Sequence, residues 1–259
     1  MAQYTHTPAD NTALSAPRTD AATFLIGDIH GRADLLDDLL NRIDRYVGNR
    51  NLQGPHLVFC GDFIDRGPQS AAVLDRVREM QDMLPGHVHC LMGNHERMLL
   101  DFLDDPQNQA GRWLRYGGIE TIISYEVSFP DSLISTPAVE ALARDLTAAM
   151  ERGGRNTVQW LRALPLFWQS GNVVATHAGA DPNVPIGEQS AKALLWGTRS
   201  FATDARRDGL WVAHGHTVVE TATIAHGRIS LDTGAVHTGV LSAVALVPGE
   251  RPEILTTNR

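Results

Sequence analysis

Five short blocks carry side chains able to hold metal ions and move protons: GDIHG (Gly27–Gly31), GDFIDRG (Gly61–Gly67), GNHE (Gly93–Glu96), HAG (His177–Gly179) and HGHT (His214–Thr217). Together they supply carboxylates, imidazoles and one carboxamide. Such oxygen and nitrogen donors suit manganese, iron or zinc, and the two cysteines do not form a thiolate site. A pair of ions held this way can activate water and polarise a phosphoryl group, so the chemistry to expect is metal-dependent phosphoester hydrolysis.

Asp28 and His30 are two residues apart at a strand end, so both can point to one side. Asp62 follows the next strand, where a carboxylate can bridge two cations. Asn94 adds a neutral oxygen and limits the negative charge of the cluster. His177 and one histidine of HGHT complete a second ion. His214 and His216 alternate and, on a continuing strand, face the same way, so spacing alone permits either. A lone buried histidine is more often a hydrogen-bonded core residue than a ligand. Packing, however, does not require Asp, His, Asp, Asn, His and His at successive strand ends. Burying those carboxylates without a cation is costly.

The elements that must position these blocks follow from periodicity. Thr23–Ile26, Leu57–Cys60 and Val88–Met92 read as strands. Between them, Arg32–Val47 and Ser70–Met83 place apolar residues at helical spacing. This βαβαβ rhythm predicts parallel strands, and the ends of such strands are where an α/β sheet collects ligands. From Glu96 to about Leu164 the pattern is helical, broken at Pro106, Gly117–Gly118, Pro130, Pro137 and Gly153–Gly154, and reads as a helical insertion at about 97–164. Asn172–Thr176, Leu210–Ala213, Thr221–Ala225, Arg228–Asp232 and Val240–Val247 return to strand character and predict a second, largely antiparallel sheet. Residues 1–20 read as a disordered tail, and 21–259 as a single domain.

The formal net charge of −8 argues against a nucleic-acid partner. No apolar run reaches the length of a membrane span, and the polar start lacks a signal-peptide core, so a cytoplasmic protein without a membrane partner is expected. Cys60 and Cys90, in HLVFCGD and HVHCLMGN, read as buried free thiols on strands.

The blocks resemble the signatures GDxHG, GDxxDRG and GNHE of the phosphoprotein phosphatase family of metallophosphoesterases. The likeness is greatest to the bacterial and phage-lambda type of serine/threonine phosphatase, and extends to WLRYGG (Trp113–Gly118), the LLW of Leu194–Trp196 and LDTGAVHTG (Leu231–Gly239). It implies an α/β fold with a central β-sandwich of two mixed sheets flanked by helices. It also implies two divalent ions, Mn²⁺ by preference with Fe or Zn permitted. Asp28, His30 and Asp62 would hold one, and Asp62, Asn94, His177 and His216 the other. GHTVVE stands where eukaryotic members carry an AHQVVE-like segment, which favours His216 and leaves His214 behind the ligands, near the phosphate, or as the alternative ligand.

The resemblance further implies His95 as general acid, oriented by Asp65, with Arg66, Asn94 and His95 on the phosphate. Arg199, in WGTRSF, is the candidate for a second phosphate-binding arginine. A hydroxide bridging the two metals would attack phosphorus in line. The expected substrate is a phosphoserine or phosphothreonine protein, with possible phosphotyrosine activity. The alternative is a symmetrical diadenosine tetraphosphate hydrolase or another small-phosphoester hydrolase. In that case the insertion must accommodate nucleosides, with Trp113 and Tyr116 the aromatics available at the entrance. No regulatory subunit of the eukaryotic kind is implied. His237 could lie near the metals.

Overall fold

Strand β1 (Thr23–Ile26) is buried throughout, with Leu25 in one apolar cluster and Phe24 and Ile26 in another. Side chains alternate across a sheet, so a strand apolar at every position must be covered on both faces. β2 (His56–Phe59) and β3 (Val88–Cys90) follow the same rule and pair in parallel, β1 with β2 and β2 with β3. The crossovers carry α1 (Ala33–Arg50) and α2 (Ser70–Met83), as the sequence rhythm predicts. The computed structural model describes residues 14–129 and 136–257.

Two five-stranded sheets pack face to face. The first runs β10-β9-β1-β2-β3, with β9 (Ser242–Leu246) and β10 (Glu253–Thr256) antiparallel to their neighbours. The second runs β4-β5-β6-β8-β7, from β4 (Phe167–Ser170), β5 (Val173–Thr176), β6 (Trp211–His214), β7 (Thr223–Ala225) and β8 (Arg228–Ser230). Leu25, Val58, Val244, Val173, Ala213 and Ile229 form the core between them. The outer face of the first sheet meets helices. That of the second meets Ile186, Leu194 and Phe201.

The expected second sheet differs in two ways. Val240–Val247 belongs to the first sheet, because β9 buries Ala243 and Ala245 on one side and Val244 and Leu246 on the other, which suits an inner strand beside β1. The second sheet is mixed rather than largely antiparallel: β5, β6 and β8 run parallel, and two-residue turns fold β4 and β7 back on its edges. In the β7–β8 turn His226 and Gly227 both have positive φ, as a tight hairpin requires.

The helical stretch continues from α3 (Asn94–Asp104) through α4 (Pro106–Trp113), a π-turn at Leu114–Gly118, α5 (Ile119–Ser124), α6 (Thr136–Met150) and α7 (Thr157–Arg162). Pro106 opens α4, and Gly117, with φ of 111°, makes the bend before α5. The expected break at Pro130 lies outside the described residues. Three short α-helices follow among the described residues, α8 (Ala191–Trp196), α9 (Arg199–Thr203) and α10 (Ala235–Thr238), the first preceded by a 3-10 turn at Ile186–Glu188. Cys60 and Cys90 are buried free thiols, one in the sandwich core and the other in the core under the helices.

The expected tail is only partly open to test, since residues 1–13 lie outside the described set. Residues 14–20 form a strap along the second sheet. Trp211 Nε1 donates to Ser15 O (2.7 Å), Arg18 N donates to Asn172 Oδ1 (2.7 Å), and the Asp20 carboxylate accepts from Gly171 N (3.1 Å). The polar composition that reads as a tail serves here to cap the β4–β5 turn. Asn172→Ala removes the side chain that also donates to Ser15 Oγ and Ala16 O. The expected outcome is a loss on the order of 1 kcal/mol in urea unfolding and faster trypsin cleavage after Arg18. Unchanged cleavage would show that Trp211 and Asp20 hold the strap unaided.

Candidate metal centre

The carboxyl ends of β1, β2 and β3 and of β5, β6 and β8 open on the same edge of the sandwich. Asp28 and His30 follow β1, Asp62 follows β2, Asn94 begins α3 just past β3, and His177 follows β5. His216 lies two residues beyond β6 and Asp232 two beyond β8. The turns are sharp: His30, Asp62, Asp65, Arg66 and His216 all have positive φ between 46° and 71°. Each such non-glycine residue is strained by roughly 1 kcal/mol or more, a pattern that collects at functional sites.

Glu96 helps hold the strained loop. Fully buried on the first turn of α3, its carboxylate accepts from the backbone N–H of Asp62 (2.9 Å), Phe63 (2.9 Å), Ile64 (3.3 Å) and Gly93 (2.9 Å). Burial and the nearby Asp62 raise the Glu96 carboxyl, while His95 and the N–H donors oppose that. Gly93 and Gly215 leave no room for a β-carbon, because one would strike Asp62 Oδ1 and Asp28 Oδ1 respectively.

Asp62 stands at the middle. Its Oδ1 accepts from His95 N (3.0 Å), and its Oδ2 lies 3.4 Å from His177 Nε2, 3.5 Å from His30 Nε2 and 3.9 Å from His95 Nε2. Burial alone would raise this carboxyl, but His177, His95 and His30 hold it below the usual range. His30 and His177 each donate Nδ1–H to a backbone carbonyl, of Ile64 (2.8 Å) and Cys60 (2.9 Å), which turns the Nε2 lone pairs inward. Asn94 Oδ1 sits 2.7 Å from His177 Nε2 and 2.9 Å from His216 Nδ1. Burial lowers His30 to about 3 and His216 to about 4, and lowers His177 as well, which favours the neutral, ligating form of the rings.

Two donor groups converge: His30, Asp62 and His95, and Asp62, His177 and His216. Asp28 completes the picture. It accepts from His216 N through Oδ2 (2.9 Å), but among the described residues its buried Oδ1 has no hydrogen-bond partner. Burial, Asp232 and Asp62 all raise the Asp28 carboxyl. Neutral imidazoles, crowded carboxylates and an orphaned carboxylate oxygen fit divalent cations.

His95 converges on Asp62, yet its ring is committed elsewhere. Nδ1 donates to Asp65 Oδ2 (2.7 Å), and Nε2 lies 3.1 Å from the Arg66 guanidinium. Burial lowers the His95 ring, but Asp62 and Asp65 outweigh it and leave it raised. A ring whose pKa is raised suits a proton donor better than a ligand. Asp65, itself fully buried, is gripped by Thr121 Oγ1 (2.6 Å) and Trp113 Nε1 (3.0 Å). Arg66 is exposed, donates also to His30 Nε2 (3.0 Å), and ties its backbone N–H to Gly117 O (3.1 Å).

Several placements differ from the sequence reading. His214 does not share a face with His216: β6 ends at His214, and the positive φ of His216 turns the chain. The His214 ring donates to Gly215 O and accepts from Ser230 Oγ (both 2.9 Å), edge-on to Phe201, so it does not offer itself as a ligand. Trp113 does not wall an entrance, being fully buried behind Asp65, whereas Tyr116 is half-exposed. Arg199 and His237 are exposed, and among the described residues neither side chain hydrogen-bonds to the centre. Asp232, Thr121 and the bracing role of Glu96 escaped the sequence reading. Only the DTG turn after a strand signalled Asp232.

The profile of the calcineurin-like phosphoesterases matches residues 23–220, and the chain belongs to that family. An asymmetrical bis(5'-nucleosyl)-tetraphosphatase of Geobacillus thermodenitrificans is 27% identical over 241 residues, covering 85% of this chain and 88% of the relative. A symmetrical bis(5'-nucleosyl)-tetraphosphatase of a Janthinobacterium species is 28% identical over 160 residues, covering 62% of this chain and 44% of the relative. Among solved structures, a candidate diadenosine tetraphosphatase superposes with a TM-score of 0.61 at 20% identity, covering 92% of this chain and 95% of that one. That likeness concerns the fold.

Metal content separates the two histidines of HGHT. His216→Ala and Asp62→Asn are expected to bind less Mn²⁺ per chain by elemental analysis, and His214→Asn to bind as much as the parent. Equal loss in His214→Asn and His216→Ala would show that the β6 end rearranges around a bound ion.

Proposed function

We propose that this phosphoesterase hydrolyses a dinucleoside tetraphosphate. The observation that carries the reading is the likeness to bis(5'-nucleosyl)-tetraphosphatases across most of the chain. It favours the alternative raised by the sequence motifs over the serine/threonine protein phosphatase reading. The half-exposed Tyr116 supports it, one residue from the Gly117 carbonyl that binds Arg66, as an aromatic surface for a nucleobase.

Asp28, His30, Asp62, Asn94, His177 and His216 would hold two divalent cations, Mn²⁺ by resemblance, which supply Lewis acidity and lower the pKa of water. The remaining steps fall to this chain's own groups. The Arg66 fork grips two phosphoryl oxygens and stays charged throughout. His95, oriented by Asp65, delivers a proton to the leaving oxygen from a position 3.9 Å from Asp62. Asn94, the first residue of α3, turns its Oδ1 to His177 and His216, and His95 follows it directly on the helix.

Parallel initial rates with Mn²⁺ on diadenosine tetraphosphate, a phosphoserine peptide and a phosphotyrosine peptide test the proposal. The dinucleotide is expected to be preferred, and its products, AMP with ATP or two ADP, locate the bond cut. Preference for the peptides would return the chain to protein phosphatase chemistry. A second expectation concerns the acid. His95→Asn should cost about 10²–10⁴-fold on a phosphoserine peptide, whose alkoxide needs a proton. It should cost less on the dinucleotide, whose leaving group departs as a stable phosphate anion. Equal loss on both substrates would remove His95 from the proton-transfer role.

A further inference from the structure

The strands that lead into the metal centre begin with histidines that play no part in it. HLVFC opens with His56, and HVHCL has His89, with His87 two residues before it. Positions i and i+2 of a strand share a face, and Leu57 of β2 pairs with Val88 of β3, so His56, His87 and His89 fall side by side. The face is the inner one, since Val58, Cys60 and Leu91 lie further along it in the sandwich core. Trp168 of β4 covers the group from the opposite sheet, its ring 5.4 Å from His89 and 6.2 Å from His56 between centroids.

The rings are arranged closely. His56 and His89 stack at 5.3 Å with 18° between planes, and His56 and His87 lie 5.0 Å apart. His56 Nδ1 and His89 Nε2 are 3.0 Å apart, so a single hydrogen links two imidazole nitrogens. Two nitrogens at that separation can both reach one ion at about 2.0–2.1 Å. His87 Nδ1 is buried and has no hydrogen-bond partner among the described residues. All three side chains are half-buried, which leaves a route in from solvent.

We propose that His56, His87 and His89 bind a first-row divalent ion with high affinity for imidazole, such as zinc, nickel or copper. The ion takes the place of the hydrogen shared by His56 and His89, the ring that carried it moving that proton to its other nitrogen, and His87 supplies a third nitrogen by turning about its side-chain bonds. Burial and the neighbouring rings lower both His56 and His89, which favours the neutral form that binds a metal. An all-imidazole set suits zinc, nickel or copper far better than magnesium or calcium. The site stands at the amino ends of β2 and β3, with Asp62 six residues beyond His56, roughly 20 Å at strand rise. It therefore clips the edge strand β3 to its neighbour β2 at the end of the sheet remote from the phosphoesterase centre.

The test is zinc stoichiometry after equilibrium dialysis of the full chain, comparing the parent with the double variant His56→Asn/His89→Asn and the single variant His87→Asn. The double variant is expected to hold one fewer zinc ion per chain, with Mn²⁺-supported hydrolysis unchanged. His87→Asn breaks no hydrogen bond described here, so it keeps the test open if the double variant misfolds. It is expected to weaken that zinc ion at least tenfold. Nickel should quench a part of the tryptophan fluorescence that is absent in Trp168→Phe. Equal zinc content in the parent and the variants would overturn the proposal and leave the cluster as stacked, hydrogen-bonded packing.

Discussion

The position of one carboxylate governs the centre. Asp62 stands on a left-handed turn, gives one oxygen to the His95 backbone, and turns the other toward three ring nitrogens drawn from β1, α3 and β5. Nothing in β2 itself forces that turn. Glu96 braces it from α3 by accepting three successive N–H groups of the loop. A side chain one turn into a helix thus sets a carboxylate at the end of a neighbouring strand, and the two move as one body. Electrostatic catalysis depends on donors and charges fixed before the substrate arrives.

The helical stretch after α3 belongs to the same arrangement. Trp113 stacks on Phe102 at 4.8 Å and turns its indole N–H to Asp65, while Thr121 reaches Asp65 from α5. Asp65 in turn fixes which nitrogen of His95 carries the bonded proton. What reads as an insertion beside the site is the outer wall of His95, the proposed acid.

Local patterns were legible and non-local ones were not. The βαβαβ unit and the donor blocks could be read because apolar periodicity and ligand spacing are properties of neighbouring residues. β4 and β10 were missed because edge strands keep one face wet, and their polar, half-exposed residues resemble loop. The sheet to which β9 belongs depends on a partner more than two hundred residues away, about which its own sequence is silent. The choice between His214 and His216 rests on a single dihedral angle. Trp113 offered an indole that could equally have lined a cleft or braced a carboxylate.

The contact between the helical stretch and the centre is narrow. Trp113, Gly117 and Thr121 make it, whereas the described hydrogen bonds of α6 and α7 run to α2, to α3 or to each other. A β-carbon at Gly117 would meet the Arg66 backbone, so even the smallest enlargement there reaches the arginine proposed to bind phosphate. A few residues outward, the same stretch carries no such obligation. The outer helices can therefore shift or repack without pulling on Asp65 or Arg66, whereas any displacement within residues 113–121 is transmitted directly to both.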